Sequence, residues 1–160
     1  MTRVGIISDT HGLLRLEAIS FLQGCDHVIH GGDIGNAEVL AQLSVISPLT
    51  VVRGNNDKGG WAEDLVETEL FQIDKVSIYT VHDIALMDIE PVAAGVNVVV
   101  SGHSHKPKVE RREGVLYVNP GSAGPRRFKL PVTVAELIII GTTATARIVE
   151  LPGHNKITLR

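Results

Sequence analysis

Val4-Gly5-Ile6-Ile7-Ser8-Asp9-Thr10-His11-Gly12, running on from Leu13 to Gly24, is the stretch that decides the fold. Val4 to Ile7 reads as a buried strand, and Ser8 to Gly12 breaks it with a run of small and polar residues. From Leu13 the period changes: Leu14, Ala18, Phe21 and Leu22 line one face of a helix, and Gly24 stands where that helix ends. The unit then repeats. Val28-Ile29, within Cys25 to His30, is a second strand ended by Gly31-Gly32-Asp33, and Val39, Leu40 and Leu43 form a helix after Asn36. A third strand, Leu49 to Val52, runs into Arg53-Gly54-Asn55-Asn56-Asp57. Successive βα units of this length predict a largely parallel sheet covered by helices.

The rest of the chain is richer in strands. Lys58 to Leu65 reads as a loop around Trp61. Leu70 to Ile73 and Val76 to Val81 are strands joined by a turn at Asp74-Lys75, and His82 follows directly. Val96 to Val100 leads into Ser101-Gly102-His103-Ser104-His105. Two hairpins follow, Lys108 to Arg111 with Val115 to Val118, and Val132 to Ile140 with Thr143 to Leu151. One open sheet would be too wide, so two packed sheets with outer helices are expected. No linker or repeat divides residues 1–160, which read as one α/β domain.

Composition narrows the function. Of 160 residues, 44% are hydrophobic, enough for a real core without staples. The net charge of -3 lacks the basic footprint of a nucleic-acid binder, so nucleic acid is not favoured as a partner. No apolar run is long enough to span a bilayer. The single Cys25 and the absence of a basic segment leading into a long apolar one make a reducing cytoplasm the expected location. Neither a G-x-G-x-x-G nor a G-x-x-x-x-G-K-[ST] pattern is present, which speaks against a nucleotide-binding fold.

Polar residues collect where the apolar runs end: Asp9 with His11, Asp33, Asn55, His82, and His103 with His105. Ligands of open α/β sheets gather beyond the carboxyl ends of the strands, so these residues can converge despite their separation in sequence. Two carboxylates, one amide and four imidazoles exceed what one first-row ion keeping a water can use. Shared between two ions they make near-complete shells. Oxygen and nitrogen donors without a thiolate suit Mn²⁺, favoured here, or Fe²⁺, Zn²⁺, Co²⁺ or Ni²⁺. Two divalent ions, two carboxylates and a bridging hydroxide leave about one positive charge, which suits an anionic ester and its transition state.

Asp9-Thr10-His11, Gly32-Asp33, Gly54-Asn55-Asn56-Asp57, His82, Gly102-His103-Ser104-His105 and Asn119-Pro120-Gly121-Ser122, in that order, closely resemble the calcineurin-like metallophosphoesterase superfamily. Within it, the likeness is to small bacterial and archaeal phosphodiesterases related to the retromer subunit Vps29. The resemblance implies a four-layer α/β/β/α sandwich of two mixed sheets. It implies that Asp9, His11 and His105 hold one metal, that Asn55, His82 and His103 hold the other, and that Asp33 bridges them. The implied reaction is hydrolysis of a small phosphoester, preferably a diester, by a bridging hydroxide. Asp33, Asn56 and Asp57 are the candidate catalytic residues, with Asp57 expected to orient a neighbour rather than ligate. A scaffold that keeps the fold without turnover is the alternative, and a homodimer or higher homo-oligomer is compatible with the sequence.

Two departures from the family pattern carry expectations. Asn56 stands where many members have a histidine that protonates the leaving group, and an amide cannot do so; acidic leaving groups are therefore expected to be favoured. Asp83 replaces a glycine that commonly follows the ligand histidine, and would add an acceptor beside it. Elsewhere, His30 is a candidate to orient a ligand, and His27 is expected to be structural. Arg126 and Arg127 read mainly as a solvated turn, Trp61 as packing, and Cys25 as a small hydrophobe.

Overall fold

The computed structural model describes residues 1–127 and 129–152; the last eight positions of the expected domain lie outside the described residues. One sheet has the order β10-β9-β1-β2-β3 and the other β4-β5-β6-β8-β7. The first contains β1 (Thr2–Ile7), β2 (His27–His30), β3 (Leu49–Val51), β9 (Thr133–Ile140) and β10 (Thr143–Glu150). β1, β2 and β3 run parallel, as the repeated βα pattern requires, while β9 and β10 add an antiparallel edge. The second contains β4 (Thr68–Ile73), β5 (Val76–Val81), β6 (Val98–Val100), β7 (Lys108–Arg112) and β8 (Val115–Asn119). Here β5, β6 and β8 are parallel between antiparallel edges. Both sheets are mixed.

Alternate residues of the two sheets meet in the middle. Val4, Ile6 and Ile29 of the first pack with Ile78, Val98 and Val118 of the second, all essentially inaccessible to water. Burial of this kind stabilises by about 25 cal/mol per Å² of apolar surface. The outer face of the first sheet is covered by α1 (Leu16–Leu22) and α2 (Ala37–Ile46), whose Ala18, Leu22, Val39 and Leu43 are buried. The Asn36 side chain accepts from the Val39 N–H and starts α2. The outer face of the second sheet, with Tyr79, Val81 and Val99, is covered by Met87 and Ile89 from the segment that follows the 3₁₀ turn Ile84–Leu86.

α1 begins three residues later than the apolar period suggests. The Leu13 N–H closes a turn on the Thr10 carbonyl, and Gly12 lies at φ 85°, so residues 11–15 cannot join the helix. Trp61 lies in a 3₁₀ turn, Gly60–Ala62, and packs against the core beneath the helices. His27 meets Thr50 at 2.8 Å and stacks on Phe71. Cys25 is buried and free. Among the described residues no helix is long and apolar enough to cross a membrane.

Candidate metal centre

Beyond the ends of β1 and β2 the chain keeps pairing: the Asp9 N–H donates to the Gly32 carbonyl and the His11 N–H to the Asp33 carbonyl, both at 3.0 Å. Five of the expected ligand residues, Asp9, His11, Asp33, His103 and His105, have left-handed backbones. Such residues cost on the order of 1–3 kcal/mol each and persist only where their surroundings over-determine them. Two glycines make the close approaches possible. A Cβ on Gly54 would stand 2.2 Å from the Asp33 backbone nitrogen and Oδ1, and one on Gly102 would stand 2.2 Å from Ser8 Oγ.

Two groups of three donors result, Asp9/His11/His105 and Asp9/Asp33/His82, with Asp9 shared. Asp9 Oδ1 lies 3.3 Å from His105 Nε2 and 3.8 Å from His11 Nε2. The Nε2 atoms of His11 and His105 are 3.4 Å apart. Asp33 Oδ2 lies 3.3 Å from His82 Nε2 and 3.8 Å from His11 Nε2, so it stands between the two groups, where a bridging carboxylate would be. Donors bound to one transition metal at about 2.0–2.2 Å are themselves about 3.0–3.4 Å apart, so the spacings near 3.3 Å are those of a ligand set.

The hydrogen bonding also asks for a cation. His82 Nδ1 faces the Gly31 carbonyl at 2.7 Å and must donate to it, which leaves Nε2, facing Asp33, as the ring nitrogen that takes up either a proton or a metal. Asp9 Oδ1 and His82 Nε2 are buried without a hydrogen-bond partner. Electron-rich atoms facing one another out of water need a positive charge between them, a proton on His82 or a metal ion in its place. Asp9 Oδ2 is held in the other direction by Ser8 Oγ at 2.6 Å and the His103 N–H at 3.1 Å, which aims Oδ1 at the cluster.

Charge states agree. Burial works to raise the Asp9 carboxyl, but His105 and Ser8 bring it below its ordinary range. Asp33 is likewise lowered against its burial, by His82 and the Asn56 backbone N–H. Burial opposes protonation of His82, yet Asp33 and Asp9 raise it on balance. For His11 burial wins over the two carboxylates and lowers it. Both carboxylates are thus ready as anionic ligands.

Asn55 and His103 stand apart from this buried cluster. His103 Nδ1 meets Asn55 Oδ1 at 3.2 Å, its side chain is 45% exposed, and Nε2 lies 3.7 Å from Asp83 Oδ2. Its ring sits edge-on to His82 at 5.2 Å, so the pair forms the outer rim. Asp83 was expected to add an acceptor beside His82; its Oδ2 instead stands near His103, and its other oxygen caps the 3₁₀ turn through the Ala85 N–H.

Asp57 acts behind the site, and the exposed Asn56 acts at its edge. The Asn56 N–H donates to Asp33 Oδ1 at 2.9 Å and its Nδ2 to Asp33 Oδ2 at 3.0 Å, so backbone and side chain together grip the carboxylate. The buried Asp57 carboxylate accepts four backbone N–H groups, from Asp33, Ile34, Gly35 and Gly54. It fastens the loop after β2 to the loop after β3 and has no oxygen left for the reacting atoms. His30 is fully buried and neutral, its pKa pushed down to about 4 by burial. It accepts from the Gly32 N–H and donates to Thr10 Oγ1, so it orients the backbone beside Asp9 and Asp33. Arg126 donates to the Leu130 carbonyl within its turn, while Arg127 adds positive charge near His11.

Ser8 was not among the residues singled out in the sequence; its position directly before Asp9 was the available signal. Asn119 and Ser122 complete the support, donating to the Gly102 and Asp9 carbonyls. Beside His82 and His103 opens a cavity of about 340 Å³ whose lining includes Arg53, Lys58, Glu67 and Leu86.

Comparison with known proteins agrees with this geometry. Residues 2–140 match the calcineurin-like phosphoesterase superfamily domain. A probable metallophosphoesterase of Methanothermobacter thermautotrophicus is 27% identical over 159 residues, covering 92% of this chain and 91% of that protein. A phosphodiesterase of Methanocaldococcus jannaschii is 28% identical over 137 residues, 74% of this chain and 82% of its own. The structure of vacuolar protein sorting 29 from Cryptosporidium parvum superposes with a TM-score of 0.82 at 20% identity, covering 97% of this chain and 93% of that one, a likeness of fold.

Proposed function

The chain belongs to the calcineurin-like phosphoesterase superfamily and is a metal-dependent phosphoesterase, and from that premise we propose that it hydrolyses small phosphodiesters with two divalent metal ions, Mn²⁺ favoured. Asp9, His11 and His105 would hold one ion, and His82, Asn55 and His103 the other, with Asp33 between them. His103 and Asn55 would reach the second ion by releasing their mutual hydrogen bond. Residues 1–160 are read as one domain of this kind, working in the cytoplasm.

When bound, the ions supply positive charge for the phosphoryl oxygens and a water acidic enough to attack at neutral pH. The chain's own residues prepare that place. Asn56 fixes the orientation of Asp33 through both carboxylate oxygens, and Ser8 turns Asp9 Oδ1 inward. The Gly31 carbonyl selects the His82 tautomer with Nε2 free for ligation. Because the Asn56 amide is turned to Asp33 and cannot transfer a proton, the leaving alcohol departs without help from this side chain, and diesters with acidic leaving groups are turned over faster.

The observation that carries the reading is the pair of buried donor groups sharing Asp9, with their unpartnered atoms. The test is to strip the protein of metal and restore Mn²⁺, Ni²⁺, Zn²⁺, Fe²⁺, Co²⁺ or Mg²⁺ singly, following a chromogenic diester and its monoester. Hydrolysis of the diester should return with metal, most strongly with Mn²⁺. Full activity in metal-free protein would overturn the mechanism, and a monoester turned over faster than the diester would overturn the substrate class.

A further inference from the structure

The rim histidine stands between two acceptors, and a neutral imidazole has one N–H to give. His103 Nδ1 is 3.2 Å from Asn55 Oδ1, and Nε2 is 3.7 Å from Asp83 Oδ2. With the hydrogen on Nδ1, the ring is committed to Asn55, and the Nε2 lone pair faces a carboxylate. With the hydrogen on Nε2, the N–H faces the carboxylate, and Nδ1 turns its lone pair to the Asn55 oxygen. The separation from Asp83 is too long for a hydrogen bond but short enough for its charge to favour the second arrangement. Both residues are held from behind. Asp83 Oδ1 accepts from the Ala85 N–H at 3.0 Å and caps the 3₁₀ turn Ile84–Leu86, which leaves Oδ2 for the ring. The His103 N–H donates to Asp9 Oδ2 at 3.1 Å from a left-handed backbone, φ 71°, so the ring hangs from a point fixed to the buried cluster.

We propose that Asp83 is a positioning residue for the second ion: it keeps the ring hydrogen of His103 on Nε2 and so frees Nδ1, together with Asn55 Oδ1, for ligation. The inference rests on the two-metal reading and deepens it. With the hydrogen on Nε2, Nδ1 and Asn55 Oδ1 are two electron-rich atoms 3.2 Å apart, within the spacing of about 3.0–3.4 Å for donors that share one ion. The hydrogen bond that would otherwise occupy both ligands is thus disfavoured before a metal arrives. His82 is prepared in the same way by a different acceptor, the Gly31 carbonyl, which holds Nδ1 and leaves Nε2 for the metal. A carboxylate behind a ligand imidazole also makes the imidazole a stronger donor to the metal. A glycine following His82 offers no such acceptor, so the grip on the rim ligand is a property of this chain's Asp83.

The test titrates metal-free, full-length protein with Mn²⁺ by calorimetry, native against Asp83→Asn and Asp83→Ser, and follows the His103 ring by ¹H–¹⁵N correlation in the metal-free protein at alkaline pH. Both replacements can still cap the turn after residue 83. Asparagine keeps an uncharged acceptor, and serine is too short to reach the ring. Native protein is expected to bind two ions and, without metal, to carry the His103 hydrogen on Nε2. In Asp83→Ser the hydrogen should move to Nδ1 and the second ion should bind about 10–100-fold more weakly, with the first ion unaffected; Asp83→Asn should fall between. Two ions bound as tightly in Asp83→Ser as in the native protein, or a native ring with its hydrogen on Nδ1, overturns the role of Asp83 and leaves the two-metal reading intact. Native protein that binds fewer than two ions overturns both.

Discussion

The two ends of β1 are built on opposite terms. At its start, Arg3 is satisfied in every direction: Nε donates to Glu136 at 2.6 Å, Nη2 to the Phe21 carbonyl at 2.9 Å, Nη1 to the Gln23 carbonyl and the Cys25 sulfur, and the guanidinium lies over the Phe21 ring. It closes the C-terminal end of α1 and ties it to β1 and β9. At the other end, Asp9 sits in a left-handed backbone with one oxygen buried and unpartnered. One end spends its polar groups on stability, and the other holds them ready for a ligand. Substitutions at the two ends should therefore separate folding from activity.

The largest effect is expected at the latch behind the ready end. Asp57→Ala leaves four backbone N–H groups without their acceptor and should cost about 3–5 kcal/mol in urea denaturation, discounted for water entering the gap. A loss below 1 kcal/mol would mean the two loops hold each other without it. Asp9→Asn comes next: hydrolysis should fall on the order of 10²–10³-fold, with a smaller cost to the metal-free protein than at Asp57, because an ionised carboxylate held below its ordinary range by His105 and Ser8 is lost. A large drop in metal-free stability would contradict the contrast between the ends. Asn56→Ala should weaken metal binding by about 10–100-fold, read from activity against Mn²⁺ concentration, with the maximum rate less affected.

At the satisfied end the order reverses. Arg3→Met should cost about 1–3 kcal/mol of stability with turnover per folded molecule unchanged. The smallest effect is at its partner. Glu136 is held below its ordinary value of 4.5 chiefly by Arg3, with Arg147 adding to it. A lowered folded pKa stabilises above the unfolded value and is lost as pH falls through the folded one. The stability gap between the native protein and Glu136→Gln, below about 1 kcal/mol at neutral pH, should therefore close below about pH 4.5. A gap that widened on acidification would show that the pair is not what holds Glu136 ionised.

The sequence made the strand ends legible because apolar runs have a short period and stop abruptly, so Asp9, Asp33, His82, His103 and His105 could be located from their neighbours. The division of labour among them was legible only in part. Asp33 was expected to stand between the two ligand sets, and its Oδ2 does lie between His11 and His82; that Asp9 also belongs to both donor groups was not foreseen. Nothing in a linear reading shows that Asn56 turns onto Asp33, or that Asp57 collects four N–H groups from two loops, since both depend on how β2 and β3 sit side by side. The late start of α1 was hidden for a similar reason: a turn at Gly12 overrides the apolar period.

Because β1 lies between β2 and β9, the strand that carries Asp9 gains its second neighbour only when residues 133–140 are in place. His82 and His105 reach the cluster from the second sheet, and His103 its rim. A chain emerging from the ribosome therefore presents Asp9, His11 and Asp33 long before the imidazoles that complete the set. Tight chelation becomes available only to a chain that has closed both sheets, and the metal content of a preparation counts its finished molecules.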